Sequence, residues 1–234
     1  MSIKKRISIV IPTYNERNNI ALLCNKIATS LDGKYEYELI FVDDNSPDGT
    51  YEEINNVMKK NPMIHLIKRE GKLGLGSAVR DGFNKASGDY CIMMDADLSH
   101  DPIYLPDMIK ALDSNDVVIG SRHVKGGGVK NWPLYRKFIS SVASYIARMI
   151  LTVPVKDITS GFAGFRKEIL EDTLTKLTPK GFKILVEIIV HLKHAKIKEI
   201  PIIFVDRQYG KSKLSIKEIM LFLLLCFRLR KING

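Results

Sequence analysis

The chain has 234 residues, 45% of them hydrophobic, and a formal net charge of +10. This length and composition suit one globular domain with a sizeable core and exclude a disordered chain. Three widely spaced cysteines exclude a disulfide framework, and no apolar run near the N-terminus is long enough for a signal peptide. We therefore expect a cytoplasmic protein.

The charge is distributed unevenly along the chain. Residues 1–120 hold 14 Lys and Arg against 18 Asp and Glu, a net charge of −4, whereas residues 121–234 hold 22 against 8, a net charge of +14. A strongly basic half predicts an anionic partner, either a nucleic acid or a phosphate-bearing membrane surface. The alternative is a basic surface that is merely solvated.

The first 120 residues alternate between apolar, β-branched runs and helical patterns. Strands are predicted at 7–12, 39–42, 64–67, 90–94 and 117–119, and helices at 18–30, 50–60, 75–86 and 105–112. This alternation predicts parallel strands joined by crossover helices, a sheet in which ligands bind at the carboxyl ends of the strands.

The alternation stops after residue 120. A glycine triplet at 126–128 precedes a predicted helix at about 134–151, which is followed by a helix near 184–194, a strand-like run at 197–205 and a last helix from 215 to about 229. We see no internal repeat or flexible linker. We therefore predict one domain over residues 1–214 and a C-terminal amphipathic helix over 215–234.

Polar residues end the first two predicted strands. The sequence P-T-Y-N-E starts at Pro12, and V-D-D-N-S-P-D-G-T starts at Val42. A turn and a helix cap account for Asp48 and Thr50, but not for two adjacent acids directly after a buried strand. Carboxylates in that position accept hydrogen bonds from a ribose or base, so the segment favours a nucleotide site.

The fourth predicted strand ends in M-D-A-D-L-S-H, from Met94 to His100. Two carboxylates so close together repel each other and would raise one pKa unless a cation lies between them. Asp95 and Asp97 therefore predict Mg²⁺ or Mn²⁺, which would bind a diphosphate and act as a Lewis acid. We expect His100 to be a loop residue, because hard cations prefer oxygen ligands.

A glycine-rich segment, G-K-L-G-L-G-S, starts at Gly71 and precedes a predicted helix. It is not a dinucleotide-binding fingerprint, because Val79 stands where the third glycine would be. We expect a tight loop whose backbone approaches strand four or a bound nucleotide.

Arginines in the basic half lie among glycines and aromatic residues, in S-R-H, W-P-L-Y-R-K and D-R-Q-Y-G-K-S-K. The guanidinium fork makes paired, charge-assisted hydrogen bonds to phosphate. Each arginine alone fits a solvated surface, but together they favour a phosphate site. The basic residues concerned are Arg122, Arg136, Arg207 and Lys213.

Together these motifs resemble the family 2 glycosyltransferases, and within them the dolichol-phosphate mannose synthases. The resemblance covers nearly the whole chain and includes G-S-R from Gly120, G-G-x-x-x-x-W from Gly127, T-S-G-F from Thr159 and R-x-x-G-x-S-K-L from Arg207. It implies an α/β fold of the A-type glycosyltransferase class, with a Rossmann-like mixed sheet flanked by helices.

The resemblance also implies roles for individual residues. The nucleotide would be held by Pro12, Tyr14, Glu16, Val42, Asp44, Asp95 and Ala96. The metal would be held by Asp95, Asp97 and Ser99. The lipid phosphate would be held by Arg122, Arg136, Arg207 and Lys213, and the catalytic residues would be Asp97, Arg122, Arg136 and Arg207.

Two departures from the family pattern affect these roles. Many members read S-G-F-R, whereas here Ala163 follows S-G-F and the next arginine is Arg166. Some relatives have Gln where Ser99 stands, so the resemblance leaves the third protein ligand of the metal open.

The implied activity is inverting transfer of mannose from GDP-mannose to dolichyl or another polyprenyl phosphate. Because a phosphate is already nucleophilic, the acceptor needs no general base. The alternatives are a UDP-glucose-dependent polyprenyl-phosphate glucosyltransferase, an inactive nucleotide-sugar-binding scaffold and, in another class, a basic nucleic-acid-binding module. The acidic strand ends argue against the last, so we expect no nucleic-acid partner.

The acceptor implies contact with the cytoplasmic face of a membrane. Whether a membrane partner subunit is required is left open at this point. The longest apolar run, 219–227, is far shorter than the roughly 20 residues of a spanning helix. With its basic flanks at Lys217, Arg228, Arg230 and Lys231, the last helix predicts either an interfacial membrane helix or a helix packed on the core. A second apolar stripe is predicted at Tyr145, Ile146, Met149 and Ile150.

Overall fold

The computed structural model describes residues 5–178, 183–192, 194–206 and 216–233, although not the side chains of 134–138, 216–219 and 232–233. The predicted alternation in the first half is confirmed. The strands are β1 (Arg6–Thr13), β2 (Glu36–Asp43), β3 (Ile64–Lys68), β4 (Tyr90–Met93) and β5 (Val117–Ser121). The helices are α1 (Arg17–Leu31), α2 (Thr50–Met58), α3 (Leu75–Lys85) and α4 (Leu105–Leu112).

Three helices predicted in the second half are also present, as α5 (Leu134–Leu151), α7 (Ile184–His191) and α8 (Ile216–Asn233). The strand-like run at 197–205 divides into β8 (Ile197–Pro201) and β9 (Ile203–Val205). Three elements were not predicted: β6 (Gly128–Lys130), β7 (Ala163–Arg166) and α6 (Lys167–Leu174). The strands among them are too short to show a two-residue periodicity.

The main sheet has seven strands in the order β3-β2-β1-β4-β7-β5-β8, and a small second sheet pairs β6 with β9. The pairings of β2 with β1 and of β1 with β4 are parallel, as predicted. β7 lies antiparallel between β4 and β5, so the sheet is mixed.

Hydrophobic cores cover both faces of this sheet. Alternate residues of β1 point to opposite faces, with Ile9 and Ile11 in one core and Val10 in the other. Helices α1, α2 and α4 contribute to the first core, and α3, α7 and α8 to the second. Because both faces are covered, the carboxyl ends of the parallel strands are the open edge where a ligand can bind.

The C-terminal helix α8 is packed on the core along one face. Phe222, Cys226 and Leu229 are buried at helical spacing, whereas Leu224 and Phe227 are 61% and 55% exposed. Among the described residues, no helix combines the length and the apolar content needed to cross a membrane.

Glu38 lies in β2 at the opposite edge of the sheet, and its side chain is buried. Its carboxylate accepts hydrogen bonds from the Ser8 and Ser87 hydroxyls, and lies 3.5 Å from Arg6 Nη2 and 3.3 Å from His65 Nε2. Burial by itself would raise the pKa of Glu38, but the hydrogen bonds and the charge of Arg6 outweigh burial and lower this pKa.

Replacing Glu38 with glutamine is expected to lower the free energy of unfolding at pH 7 by about 1–3 kcal/mol, because charged hydrogen bonds are lost in a buried site. A lowered pKa stabilises the fold above the unfolded value of about 4.3, and this contribution is lost as the pH falls through the folded pKa. Urea unfolding from pH 7 to pH 3 should therefore show the difference shrinking. Glu36→Gln, at an exposed position of the same strand, is the control, and a pH-independent difference would contradict the prediction.

Candidate active site

The carboxyl ends of β1, β2 and β4 bring three predicted groups to one edge of the sheet. Thr13 pairs with Asp43 at the ends of β1 and β2, and Val10 pairs with Met93 of β4. The P-T-Y-N-E, V-D-D and D-A-D segments therefore leave the sheet side by side, as the strand-end argument predicts.

Two acids of the V-D-D-N-S-P-D segment, Asp43 and Asp48, form hydrogen bonds within the loop that follows β2. Asp43 accepts hydrogen bonds from Thr13 Oγ1 and Ser46 Oγ on one oxygen and from Ser46 N on the other. Asp48 accepts from the main chain and hydroxyl of Thr50, as expected for a turn and helix start. These two acids shape the loop, so Asp44 remains the nucleotide candidate.

Asp44 is buried and bonded to the glycine-rich segment 71–77. It accepts a hydrogen bond from the main-chain N of Gly74 at 2.8 Å and pairs with the guanidinium of Arg69. Arg69 is itself buried, and it donates to Ser77 Oγ at 2.8 Å and lies 3.2 Å from Asp81 Oδ2. Of the two approaches expected for this loop, the hydrogen bond from Gly74 shows the one toward the nucleotide site, since it reaches Asp44.

The other predicted nucleotide residues divide by burial. Pro12, Tyr14 and Glu16 are half-buried at the rim, and Lys72 Nζ lies 3.8 Å from the centre of the Tyr14 ring. Glu16 accepts a hydrogen bond from Asn19 Nδ2 at 2.7 Å. Two further residues have their side chains inside the cores, so only their main chains can face a ligand. These residues are Val42 and Ala96.

The D-A-D segment supplies oxygen atoms suited to a hard cation. Asp97 is 7% exposed and accepts a hydrogen bond from Ser99 N at 3.0 Å. Ser99 Oγ is buried and has no hydrogen-bond partner among the described residues. Two carboxylates and a hydroxyl in need of a partner fit Mg²⁺ or Mn²⁺. No described group of three or more His, Cys, Asp and Glu side chains suits a metal.

The T-S-G-F segment lies against Asp95. A Cβ atom on Gly161 would be 2.5 Å from Asp95 Oδ2, so a side chain there would displace the carboxylate. Ser160 fixes the segment by donating to the carbonyl of Gly120 at 2.7 Å. Arg166, the next arginine, donates instead to main-chain carbonyls of Leu112, Asp113 and Asn115, which gives it a structural contact after α4.

Arg122 follows β5 and is held by a buried carboxylate. Its Nε and Nη2 donate to Asp157 at 2.7 and 2.6 Å, and Nη2 also donates to Thr159 Oγ1 at 3.0 Å. Burial by itself would raise the pKa of Asp157, but the bonds and charge of Arg122 outweigh it and hold this pKa below its ordinary range. A phosphate would therefore bind Arg122 through Nη1.

Aromatic rings enclose the space between Arg122 and the carboxylates. The guanidinium carbon of Arg122 lies 5.5 Å from the Phe204 ring and 5.8 Å from the Trp132 ring. His100 is buried, and its ring is 5.4 Å from Phe162 and 5.2 Å from Phe204. Burial lowers the pKa of His100, so its ring is neutral at pH 7. Its Nδ1 lies 3.6 Å from Asp95 Oδ2, beside the D-A-D carboxylates.

Three predicted basic residues lie beyond what the structure describes. Arg136 is in the first turns of α5, but its side chain is not described, and Arg207 and Lys213 fall between the described residues 194–206 and 216–233. Their contact with a phosphate remains a prediction.

Sequence reasoning missed four residues of the site, namely Arg69, Lys72, Asp157 and Gly161. Arg69 had a usable signal, because it directly follows β3 and so reaches the same open edge as the other strand-end residues. Asp157 had none, since its importance depends on a contact with Arg122, 35 positions away. Gly161 is part of the T-S-G-F segment, but its contact with Asp95 is visible only in the structure.

Replacing Arg69 with glutamine is expected to weaken GDP binding about tenfold, because the Asp44 carboxylate loses the charged partner that orients it. Isothermal calorimetry with GDP and, separately, with Mn²⁺ checks this, since the D-A-D carboxylates should keep their metal affinity. Lys85→Gln, at an exposed position of α3, is the control. Equal losses of GDP and Mn²⁺ affinity would mean that Arg69 only stabilises the fold.

Known proteins match this chain in sequence and in fold. A profile described as Glycosyl transferase family 2 matches residues 8–174. Dolichol-phosphate mannosyltransferase of Pyrococcus furiosus is 45% identical over 232 residues, which cover 98% of this chain and 65% of that protein. The chain thus spans slightly less than two thirds of the length of that relative.

Two shorter relatives are covered more fully. Dolichol-phosphate mannosyltransferase of Saccharomyces cerevisiae is 38% identical over 92% of this chain and 84% of its own length. Undecaprenyl-phosphate mannosyltransferase of Micrococcus luteus is 37% identical over 90% of this chain and 88% of its own length.

Solved structures with low sequence identity share the fold. Glucosyl-3-phosphoglycerate synthase from Mycobacterium tuberculosis, in complex with Mn²⁺, UDP-glucose and phosphoglyceric acid, matches with a TM-score of 0.68 and 19% identity over 96% of this chain and 80% of that one. Its complex with phosphoglyceric acid matches with a TM-score of 0.69 and 18% identity over 98% and 80%. The expected A-type glycosyltransferase fold is confirmed. This chain belongs to glycosyl transferase family 2, and its sequence is similar to the dolichol-phosphate and undecaprenyl-phosphate mannosyltransferases.

Proposed function

We propose that the protein transfers mannose from GDP-mannose to a polyprenyl phosphate such as dolichyl phosphate, with inversion at the anomeric carbon. The observation that carries the proposal is the position of two opposite kinds of group on one edge of the sheet. The D-A-D carboxylates suit a cation and a diphosphate, and Arg122 suits a second phosphate. His100 is close enough to both Asp97 and Arg122 for each to influence its pKa. The similarity to mannosyltransferases of polyprenyl phosphates supports the choice of sugar and acceptor.

The chain's own residues would position both substrates. Asp44 would accept hydrogen bonds from the nucleoside, with Tyr14 and Glu16 at the rim beside it. Asp95 and Asp97, with Ser99, would hold a divalent ion, which when bound supplies Lewis-acid stabilisation of the departing diphosphate. Arg122, oriented by Asp157, would hold the acceptor phosphate and reduce its repulsion from the donor phosphates.

The acceptor needs no general base, because its phosphate oxygen is already anionic. That oxygen attacks the anomeric carbon in line with the bond to the leaving diphosphate. A new bond forms from the phosphate oxygen to carbon, the bond from carbon to the GDP oxygen breaks, and GDP leaves with the electron pair. An α-linked donor thereby gives a β-linked product. Neutral His100, Phe162 and Phe204 would exclude water from the path of attack.

The test is a product assay with Mn²⁺ or Mg²⁺, a short-chain polyprenyl phosphate and a panel of nucleotide sugars, with the lipid product identified by mass. We expect mannosyl transfer from GDP-mannose. Glucosyl transfer from UDP-glucose would favour the alternative glucosyltransferase, and absence of any lipid-linked sugar would reject both activities.

We also propose that the protein acts at the cytoplasmic face of a membrane through α5 and α8, which pack against each other. Each helix buries one side and leaves apolar side chains exposed on another. On α5 these are Val142, Tyr145, Ile146 and Met149, and on α8 they are Met220, Leu221, Leu224 and Phe227. Basic residues at the end of α8, Arg228 and Arg230, would face anionic lipid. A requirement for a membrane partner subunit would appear as failure of the purified chain to bind vesicles.

Changing Leu224 and Phe227 together to serine is expected to weaken vesicle binding about tenfold, because two exposed apolar side chains no longer enter the lipid interface. Turnover should fall with long polyprenyl phosphates in vesicles but not with short, water-soluble ones. Leu22→Ser, at an exposed position of α1, is the control. A large loss of melting temperature with equal loss on both acceptors would mean that these residues serve packing.

A further inference from the structure

A second groove lies between α5 and the segment that follows it, and we call it the α5 groove. Its volume is about 370 Å³, and its polar lining comprises His123, Ser144, Arg148 and Lys156, with Val142 and Tyr145 at its apolar side. A neighbouring groove of about 340 Å³ is lined by Arg122 and Trp132 and belongs to the proposed acceptor site. The two grooves share His123 and Ser141, but Arg148 and Lys156 line only the α5 groove and Arg122 lines only its neighbour.

Three buried polar atoms in the α5 groove lack hydrogen-bond partners. They are Ser144 Oγ, Arg148 Nε and His123 Nε2. The Ser144 residue is 3% exposed. An unpaired buried polar atom is costly, so three of them on one cavity wall indicate that a ligand supplies the missing partners.

The charges around the α5 groove favour an anion. Arg148 and Lys156 are cationic, and burial lowers the pKa of His123, so its neutral ring can donate from Nε2–H. Two acids lie close by, but both are engaged. Asp157 is paired with Arg122, and Glu199 accepts the main-chain N–H groups of residues 156 and 157. The lining of this groove thus includes a guanidinium, an ammonium and a hydroxyl, and groups of these kinds donate hydrogen bonds to phosphate oxygens.

We propose that the α5 groove binds the phosphate group of an anionic ligand other than the glycosyl acceptor. The phosphate would accept hydrogen bonds from Ser144 Oγ, His123 Nε2 and Arg148 Nε, and Lys156 would lie at the open side. Val142 and Tyr145 join the groove to the exposed apolar side of α5, so the headgroup of an anionic lipid is one source of this phosphate. Free phosphate is the other source, and the chemistry of recognition is the same.

The test measures binding without donor or metal, so it does not depend on the proposed transferase activity. The probes are vesicles of phosphatidylglycerol, with phosphatidylcholine vesicles for reference, and inorganic phosphate in solution. Arg148→Gln is expected to raise the Kd about tenfold and Ser144→Ala about threefold, because each removes a donor to the anion. Lys110→Gln removes one positive charge from an exposed position of α4, on the other face of the sheet, and should raise the Kd less than about twofold.

A loss confined to phosphatidylglycerol vesicles assigns the groove to a lipid headgroup, and a loss that appears with inorganic phosphate assigns it to free phosphate. Equal changes for Arg148→Gln and Lys110→Gln, or no change for Arg148→Gln and Ser144→Ala, would overturn the proposal. If Arg148→Gln lowers the melting temperature, the outcome is decided by two other variants, Ser144→Ala and Lys156→Gln. The Lys156 side chain is exposed.

Discussion

Replacing Asp97 with alanine is expected to reduce turnover by on the order of a thousandfold, while the fold and GDP affinity in the absence of metal are retained. Asp97 is almost buried beside the unpartnered hydroxyl of Ser99, so in the proposed mechanism its loss removes one of the proposed ligands of the metal. Lewis-acid stabilisation of a leaving group contributes several kcal/mol, and each 1.36 kcal/mol is a factor of ten in rate.

Steady-state rates over a Mn²⁺ titration, together with melting curves, check this result. Asp172→Ala, at an exposed position of α6, is the matched control and should keep the parent rate. Metal-dependent turnover that is unchanged in the Asp97 variant would remove the D-A-D segment from the proposed mechanism.

Gly161→Ala is expected to weaken Mn²⁺ binding by about 10- to 100-fold, the usual effect of displacing the surroundings of a metal ligand. The added methyl group would lie 2.5 Å from Asp95 Oδ2, and the carboxylate has to move away. Because Asp95 is 34% exposed, it can move toward solvent without disrupting the core. The melting temperature should therefore change little, and the loss should appear in metal affinity and in turnover.

Gly71→Ala is the control for this experiment, because a Cβ atom at Gly71 meets nothing within 4 Å. Calorimetric titration with Mn²⁺ compares the two variants directly. Parent-like affinity in Gly161→Ala would show that the Asp95 carboxylate is not held in place by this contact, and would leave the T-S-G-F segment with a structural role only.

The elements that the sequence predicts well are those whose own residues specify them. β1, β2 and β4 are continuous apolar runs of residues that must be buried on both faces, and α3 and α4 bury one side at helical spacing. The polar residues that follow these strands can also be identified from the sequence, because the carboxyl ends of parallel strands form the ligand-binding edge of the sheet. Asp44, Asp95 and Asp97 were found in this way.

The elements that it misses are specified by distant partners. β7 has four residues, and it becomes a strand because β4 and β5 both offer it hydrogen bonds. The run at 197–205 divides between two sheets for the same reason, since β8 pairs with β5 and β9 with β6. A strand of three to five residues carries too little periodicity to reveal such pairing.

The sequence by itself determined the α/β architecture, the open edge of the sheet and the acidic and basic residues available there, because hydrophobic periodicity and strand ends are local properties. Only the tertiary structure decided which of these groups meet. Arg69 reaches Asp44 across 25 residues, Asp157 orients Arg122 across 35, and Gly161 makes room for Asp95. These contacts join segments far apart in the chain, so they exist only after the strands have been ordered in the sheet. The same is true of α8, whose buried face is chosen by the helices packed against it, because its central run at 219–227 is apolar on every side.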